Sequence, residues 1–279
     1  MILLTGGNGQ LGTELRHYLD EKNIPYYSTD AQEMDITDLD ATLALVKQIQ
    51  PDIIYHCAAY TAVDKAEDEG KQLNEKVNVD GTKNVALAAK SVGAKLVYLS
   101  TDYVFDGTKE FGEYSEDDPL NPQNEYGRAK LLGEQAVAEI LDNYYIIRTS
   151  WVYGEYGNNF VYTMQRLAKE RDFLTVVADQ VGRPTWTRSL VEFMVYLVDS
   201  NQPYGIYQFS NDNSCSWYEF AKEILKETST EVRPVTSAEF PQKATRPKYS
   251  IMSLSKAKET GFVIDTWQTA LAKFKKSIN

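Results

Sequence analysis

Apolar residues first appear as a short unbroken run, Ile2-Leu3-Leu4, followed by glycines and then by leucines at 11, 15 and 19. The run predicts a buried parallel strand, and the leucine spacing predicts an amphipathic helix behind it. The alternation continues with a strand over 25–30, a helical face at Leu39, Leu43, Val46 and Ile49, and a strand over 52–57. A helix is expected over about 73–91, a strand over 95–99, a helix over about 125–141 and a strand over 144–148. Strands and helices in this order predict an α/β fold, a doubly wound parallel sheet with helices on both faces. Beyond about residue 150 the rhythm breaks up, with strand-like 174–177, 205–209 and 231–235 and helical 187–199, 216–227 and 265–276. The expected organisation is one unit over 1–150 and a smaller one over 151–279, part of which returns to the large sheet.

The glycines between the first strand and helix carry chemistry. Gly6 allows a sharp turn, Gly9 lets backbone N–H groups approach a pyrophosphate, and Gly12 lets the helix pack closely on the strand. The helix N-terminus adds free donors and positive dipole for phosphate. This makes the sheet Rossmann-type, with ligands expected outside the carboxyl ends of the strands. Asp30 ends the second strand at the offset where a carboxylate meets adenosine ribose hydroxyls, which favours NAD over NADP; a helix cap or solvated turn is its other reading.

A formal net charge of −11 argues against nucleic acid or anionic membrane as a partner. No basic leader with a long apolar run is seen at the start, and no apolar run approaches the ~20 residues of a membrane span. The expected compartment is the cytoplasm. Cys57 and Cys215 are too far apart to suggest a metal site, and His17 and His56 alone make histidine-based zinc catalysis unexpected.

The candidate reacting groups follow the strand over 95–99. Ser100-Thr101-Asp102-Tyr103 places hydroxyls where a parallel strand delivers side chains to the crevice, and Tyr126-Gly127-Arg128-Ala129-Lys130 opens a later helix. Spacing i, i+4 puts Tyr126 and Lys130 on one face. A neighbouring ammonium favours phenolate and is expected to lower the tyrosine toward acid–base use. Lys130 could also bind a nicotinamide ribose, and Thr101 a substrate oxygen.

Together these residues resemble the extended short-chain dehydrogenase/reductases that act on nucleotide sugars, and within them the dTDP-4-dehydrorhamnose reductase family. The likeness runs nearly end to end, through Asn8–Gly12, Asp35–Asp38, Ala58–Glu67, Asn78–Thr82, Ser100–Gly107, Ser150–Gly154, Gly182–Thr185 and Lys243–Pro247. It implies reduction of the C4 ketone of dTDP-4-dehydro-β-L-rhamnose by NADPH or NADH, with Thr101, Tyr126 and Lys130 as catalytic triad. It further implies cofactor contacts from Gly6, Gly9, Gln10, Leu11, Asp30, Asp35, Ile36, Ala58, Ala59, Tyr60, Asn78, Tyr126 and Lys130. Val63, Thr101, Asp102, Tyr103, Tyr126 and Trp151 would surround the sugar, although Asp35 also reads as a helix cap and Trp151 as core packing. Some relatives join two subunits through a metal; Glu14 matches one such position, but Thr185–Ser189 offers no acidic pair, so no metal is expected. The expected state is a monomer or homodimer. The alternatives are an epimerase, a non-catalytic regulatory subunit of the same fold, or a 4,6-dehydratase, which would carry Glu where Tyr103 stands.

Overall fold

A computed structural model describes residues 1–278. The first half runs β1 (Ile2–Thr5), α1 (Gln10–Glu21), β2 (Tyr26–Thr29), α2 (Leu39–Ile49), β3 (Ile53–His56) and α3 (Lys71–Glu75). A π-helical turn, Lys76–Gly81, joins α3 to α4 (Thr82–Val92), followed by β4 (Lys95–Thr101), α5 (Glu125–Ile140) and β5 (Tyr144–Thr149). The second half contains β6 (Val152–Tyr153), α6 (Phe160–Ala168), β7 (Phe173–Val177), β8 (Val181–Gly182), β9 (Thr185–Trp186) and α7 (Thr187–Asp199). It ends with β10 (Gly205–Gln208), β11 (Cys215–Ser216), α8 (Trp217–Leu225), β12 (Glu231–Val235), α9 (Ser255–Glu259) and α10 (Trp267–Ser277). The sequence pattern did not predict α6 or α9.

Six strands pair in parallel in the order β10-β5-β4-β3-β1-β2. Winding reverses between β1 and β3, which opens a crevice at the strands' carboxyl ends. Successive strand residues point to opposite faces, so both faces must be apolar. Leu4, Tyr55, Val97 and Ile147 pack under α1 and α7, while Leu3, Ile54, Leu96 and Ile146 pack under α2, α4 and α5. Helix α7 and strand β10 come from beyond residue 150 and complete this platform, because α7 shields the apolar face beside α1 and β10 pairs with β5. A third core joins α6, α8 and α10 through Val161, Met164, Phe220, Ile224, Leu271 and Phe274. Among the described residues, no helix is long and apolar enough to cross a membrane.

Helix α5 is held to the sheet by an ion pair. Arg148 on β5 donates from Nε to Glu134 Oε1 at 3.0 Å and from Nη2 to Oε2 at 2.8 Å. Both side chains are nearly inaccessible, and Nη1 donates to the Glu116 carbonyl at 3.1 Å. Removing one partner would leave a buried charge without compensation. Glu134→Leu is therefore expected to cost ~3–5 kcal/mol of stability, and adding Arg148→Met should recover most of it. Urea-unfolding midpoints of the three proteins check this; a single variant as stable as the parent would refute it.

Candidate active site

The glycine loop is shaped by close backbone approach. Gly6 has φ +68°, and a Cβ there would lie 2.5 Å from the Ala58 nitrogen on the loop after β3. A Cβ on Gly12 would collide with the Gly6 carbonyl. Gly9 caps α1 with no side-chain hydrogen bond and no acidic residue in the first turn, which leaves that end suited to phosphate. Asp30 accepts from the Asn8 N–H at 2.9 Å and the Ala31 N–H at 2.7 Å, so it also shapes the loop.

Gly6, Gly9, Asp30, Asp35, Ile36, Ala58, Ala59 and Tyr60 line one cavity of about 390 Å³. These features fit a dinucleotide. Gln10, Leu11, Asn78, Tyr126 and Lys130 are not among its walls. Leu11, on α1, packs against the core, and Gln10 donates to the Val152 carbonyl at 3.5 Å. Asn78 is fully buried in the π turn, where its amide accepts from Tyr60 N–H and donates to the Tyr60 carbonyl and Asn74 Oδ1. It positions the loop that lines the cavity. Asp35 accepts from the Thr37 N–H and hydroxyl, whereas Asp38 caps α2.

The carboxyl end of β4 delivers Thr101 and Asp102 to Tyr126. Thr101 donates to Asp102 Oδ1 at 3.1 Å, and its oxygen also accepts from the Tyr103 N–H at 3.2 Å. Asn124 accepts from the Gly127 N–H at 2.7 Å and fixes the start of α5, which carries Tyr126. The Tyr103 and Tyr126 rings meet edge to face at 6.0 Å. Asp102 is buried, and its Oδ2 lacks a full hydrogen bond among the described residues. Burial pushes its carboxyl up to about 6, opposed by the Ser250 and Thr101 hydroxyls.

The electrostatics of Tyr126 reverse the expectation from sequence. Burial, then the Asp102 charge, holds the phenol well above its ordinary range, with only Thr101 acting downward. Lys130 is not among the causes. Its ammonium lies 4.1 Å from the centroid of the Tyr98 ring, and burial lowers its pKa to about 7 against the pull of Glu134 and Cys57. With its pKa at about 7, Lys130 is uncharged in the range where a phenol ionises and so does little to favour phenolate one turn away.

Trp151 lies on the side of the third core. Its φ of +48° is strained for a bulky residue, and its ring stacks on Trp217 at 3.6 Å. A Cβ on Gly182 would lie 2.8 Å from the Trp151 ring and 3.1 Å from the Ser250 hydroxyl, so Gly182 lets Trp151 approach Asp102's neighbour. Val63 is half-buried on the loop before Lys65–Glu67. An aromatic cavity of about 200 Å³ opens between Phe160, Met164, Trp217, Phe240 and Arg246. The reading from sequence missed Glu134, Ser250 and this cavity. Glu134 was detectable as the next i+4 step after Tyr126 and Lys130.

The chain matches the RmlD substrate binding domain over residues 1–279. It is similar to a dTDP-4-dehydrorhamnose reductase from Bacillus anthracis, solved in complex with NADP, at 44% identity and TM-score 0.95 over 99% of this chain and 98% of that one. It is also similar to the spore coat polysaccharide biosynthesis protein SpsK of Bacillus subtilis, 40% identical over 98% of this chain and 96% of the relative. The dTDP-4-dehydrorhamnose reductase of Aggregatibacter actinomycetemcomitans is 39% identical over 97% of this chain and 96% of its own.

Two outcomes test this geometry. Gly6→Ala adds a methyl against backbone at a left-handed position, so NADPH binding measured by fluorescence should weaken by ~10-fold or more at a strain of ~1–3 kcal/mol. Unchanged affinity would place the dinucleotide elsewhere. The second concerns protons. Lys130 titrates near 10.5 unfolded and about 7 folded, so between these values the unfolded chain binds more protons and this residue's contribution to stability rises with pH. Anionic ligand binding should restore the ammonium. NADPH binding above pH ~7 should take up a proton and weaken as pH rises, and Lys130→Met should abolish that uptake. Calorimetry in buffers of different ionisation enthalpy measures it.

Proposed function

This chain belongs to the RmlD substrate binding domain family, and on that footing we propose that it reduces the C4 ketone of dTDP-4-dehydro-β-L-rhamnose with NADPH or NADH, forming dTDP-β-L-rhamnose. The observation that carries the reading is the convergence of Thr101 and Asp102, at the end of β4, on Tyr126 at the start of α5. A nicotinamide cofactor bound with its pyrophosphate on the glycine loop would supply hydride for the carbonyl carbon. Tyr126 donates its phenolic proton to the carbonyl oxygen as negative charge develops there. Thr101 hydrogen-bonds the same oxygen and keeps it in line with the phenol. A phenol held above its ordinary range stays protonated at working pH, the state that a reduction needs. Lys130 holds ribose hydroxyls, and Asp102 offers its unpartnered Oδ2 to a sugar hydroxyl.

Residues 1–150, completed by α7 and β10, form the cofactor platform; the rest of 151–279 forms the substrate side, with Trp151 against the sugar. The aromatic cavity beside Trp217 receives the base. The protein works in the cytoplasm as a monomer or homodimer, and its net charge of −11 disfavours nucleic acid and anionic membranes.

Absorbance at the nicotinamide band, followed with the ketosugar, tests the reaction directly. Reduced cofactor should disappear in step with ketosugar, and dTDP-glucose should not be dehydrated; dehydration would sink the assignment. Tyr126→Phe keeps the ring and removes the proton, so kcat should fall on the order of 10²–10⁴-fold with cofactor affinity little changed. Asp30→Ala should harm NADH use more than NADPH use, since its carboxylate repels a 2′-phosphate. Equal effects on both Michaelis constants would remove Asp30 from the ribose.

A further inference from the structure

The segment Lys243–Pro247 crosses from the aromatic cavity to the loop after β3 and is tied down at several points. Lys243 pairs with Asp68, the Ala244 N–H donates to Asp64 Oδ1 at 3.1 Å, and Asn124 donates to the Thr245 carbonyl at 2.8 Å. Arg246 meets Asp64 end-on: Nη1 donates to Oδ1 at 2.9 Å and Nη2 to Oδ2 at 2.8 Å, while Nη1 also donates to the Ala244 carbonyl at 3.0 Å. This geometry occupies one edge of the guanidinium. The Nε–H and the second Nη2–H, which form its other bidentate edge, have no partner among the described residues.

We propose that Arg246 is the anchor for the substrate's diphosphate, with Asp64 as the positioning residue that aims its open Nε/Nη2 edge. The inference rests on the nucleotide-sugar reading above. A nucleotide sugar presents, in order, a flat base, a diphosphate and a sugar. The protein presents, in matching order, an aromatic cavity walled by Trp217 and Phe240, the Arg246 guanidinium, and the Tyr103–Tyr126 pair beside Thr101. Arg246 belongs to the cavity wall, and its charge also reaches the Tyr103 phenol, which it acts to lower. It therefore stands between the two ends. A planar guanidinium edge matches two phosphate oxygens, which a lysine in its place would not do. In a chain of net charge −11, one cation held in place here distinguishes a diphosphate from a neutral nucleoside.

The test measures binding of dTDP and of thymidine to the NADPH-loaded protein, by calorimetry, for wild type, Arg246→Gln and Asp64→Asn. Arg246→Gln should lose about 10- to 100-fold in dTDP affinity, the loss of charge-assisted hydrogen bonds, while thymidine and NADPH affinities stay put. Asp64→Asn keeps the cation but loosens its aim, so dTDP affinity should fall by less and thymidine affinity should again hold. A parallel loss of dTDP and thymidine in Arg246→Gln, or no loss of either, would overturn the proposal. A wild-type protein indifferent to dTDP would instead overturn the nucleotide-sugar reading on which it rests.

Discussion

Arg148 and Glu134 are both almost inaccessible, and a charge so placed is tolerable only while its partner stays within hydrogen-bond reach. That condition joins β5 to α5 in one orientation. One turn toward the helix start lies Lys130, and one turn further lies Tyr126, so the pair that locks the helix also sets where the phenol and ammonium sit. The Arg148 guanidinium also lies 5.3 Å from the centroid of the Phe105 ring, on the loop that follows Asp102. The helix and the strand end that meet at the site are thus referred to one buried charge.

The cofactor side is governed by a different constraint, the shortage of space. Gly6 and Gly12 are places where backbone meets backbone, and any side chain would push apart the loop, α1 and the segment after β3. Asn78 serves the same end from beneath, because its amide satisfies both the N–H and the carbonyl of Tyr60. A buried loop needs its peptide groups paired, and a π turn offers the displaced register that puts Asn78 under Tyr60.

The two sides of the site differ in how they are stiffened. Thr101 is held by strand pairing, and Asp102 by hydrogen bonds from the Thr101 and Ser250 hydroxyls. Trp151 is held by a strained backbone, its stack on Trp217, and its carbonyl, which accepts from the Thr185 N–H at 3.1 Å. Strain of this kind persists only where surrounding contacts over-determine it. Gly182 and Ser250 fill the space between Trp151 and Asp102, linking the third core to the end of β4.

Much of this was legible in the residue order. Ile2–Leu4, the glycines after it, the alternation through Tyr144–Arg148 and the Tyr126/Lys130 spacing are local signals, because strand burial, turn geometry and helical periodicity each act over a few residues. Helix α6 carried such a signal in Phe160, Val161, Met164 and Leu167, capped by Asn159, but sat in a stretch whose rhythm had broken down. Other features are properties of proximity in space. The direction of the Tyr126 shift depends on how much water the fold excludes and on Asp102 standing closer in effect than Lys130. Desolvation cannot be counted from spacing. Arg246 meets Asp64 across 182 positions of chain, and the sequence alone determined only that both residues were available. Tertiary structure decided that they meet, since only packing the third core beside the parallel sheet brings those two segments within hydrogen-bond reach.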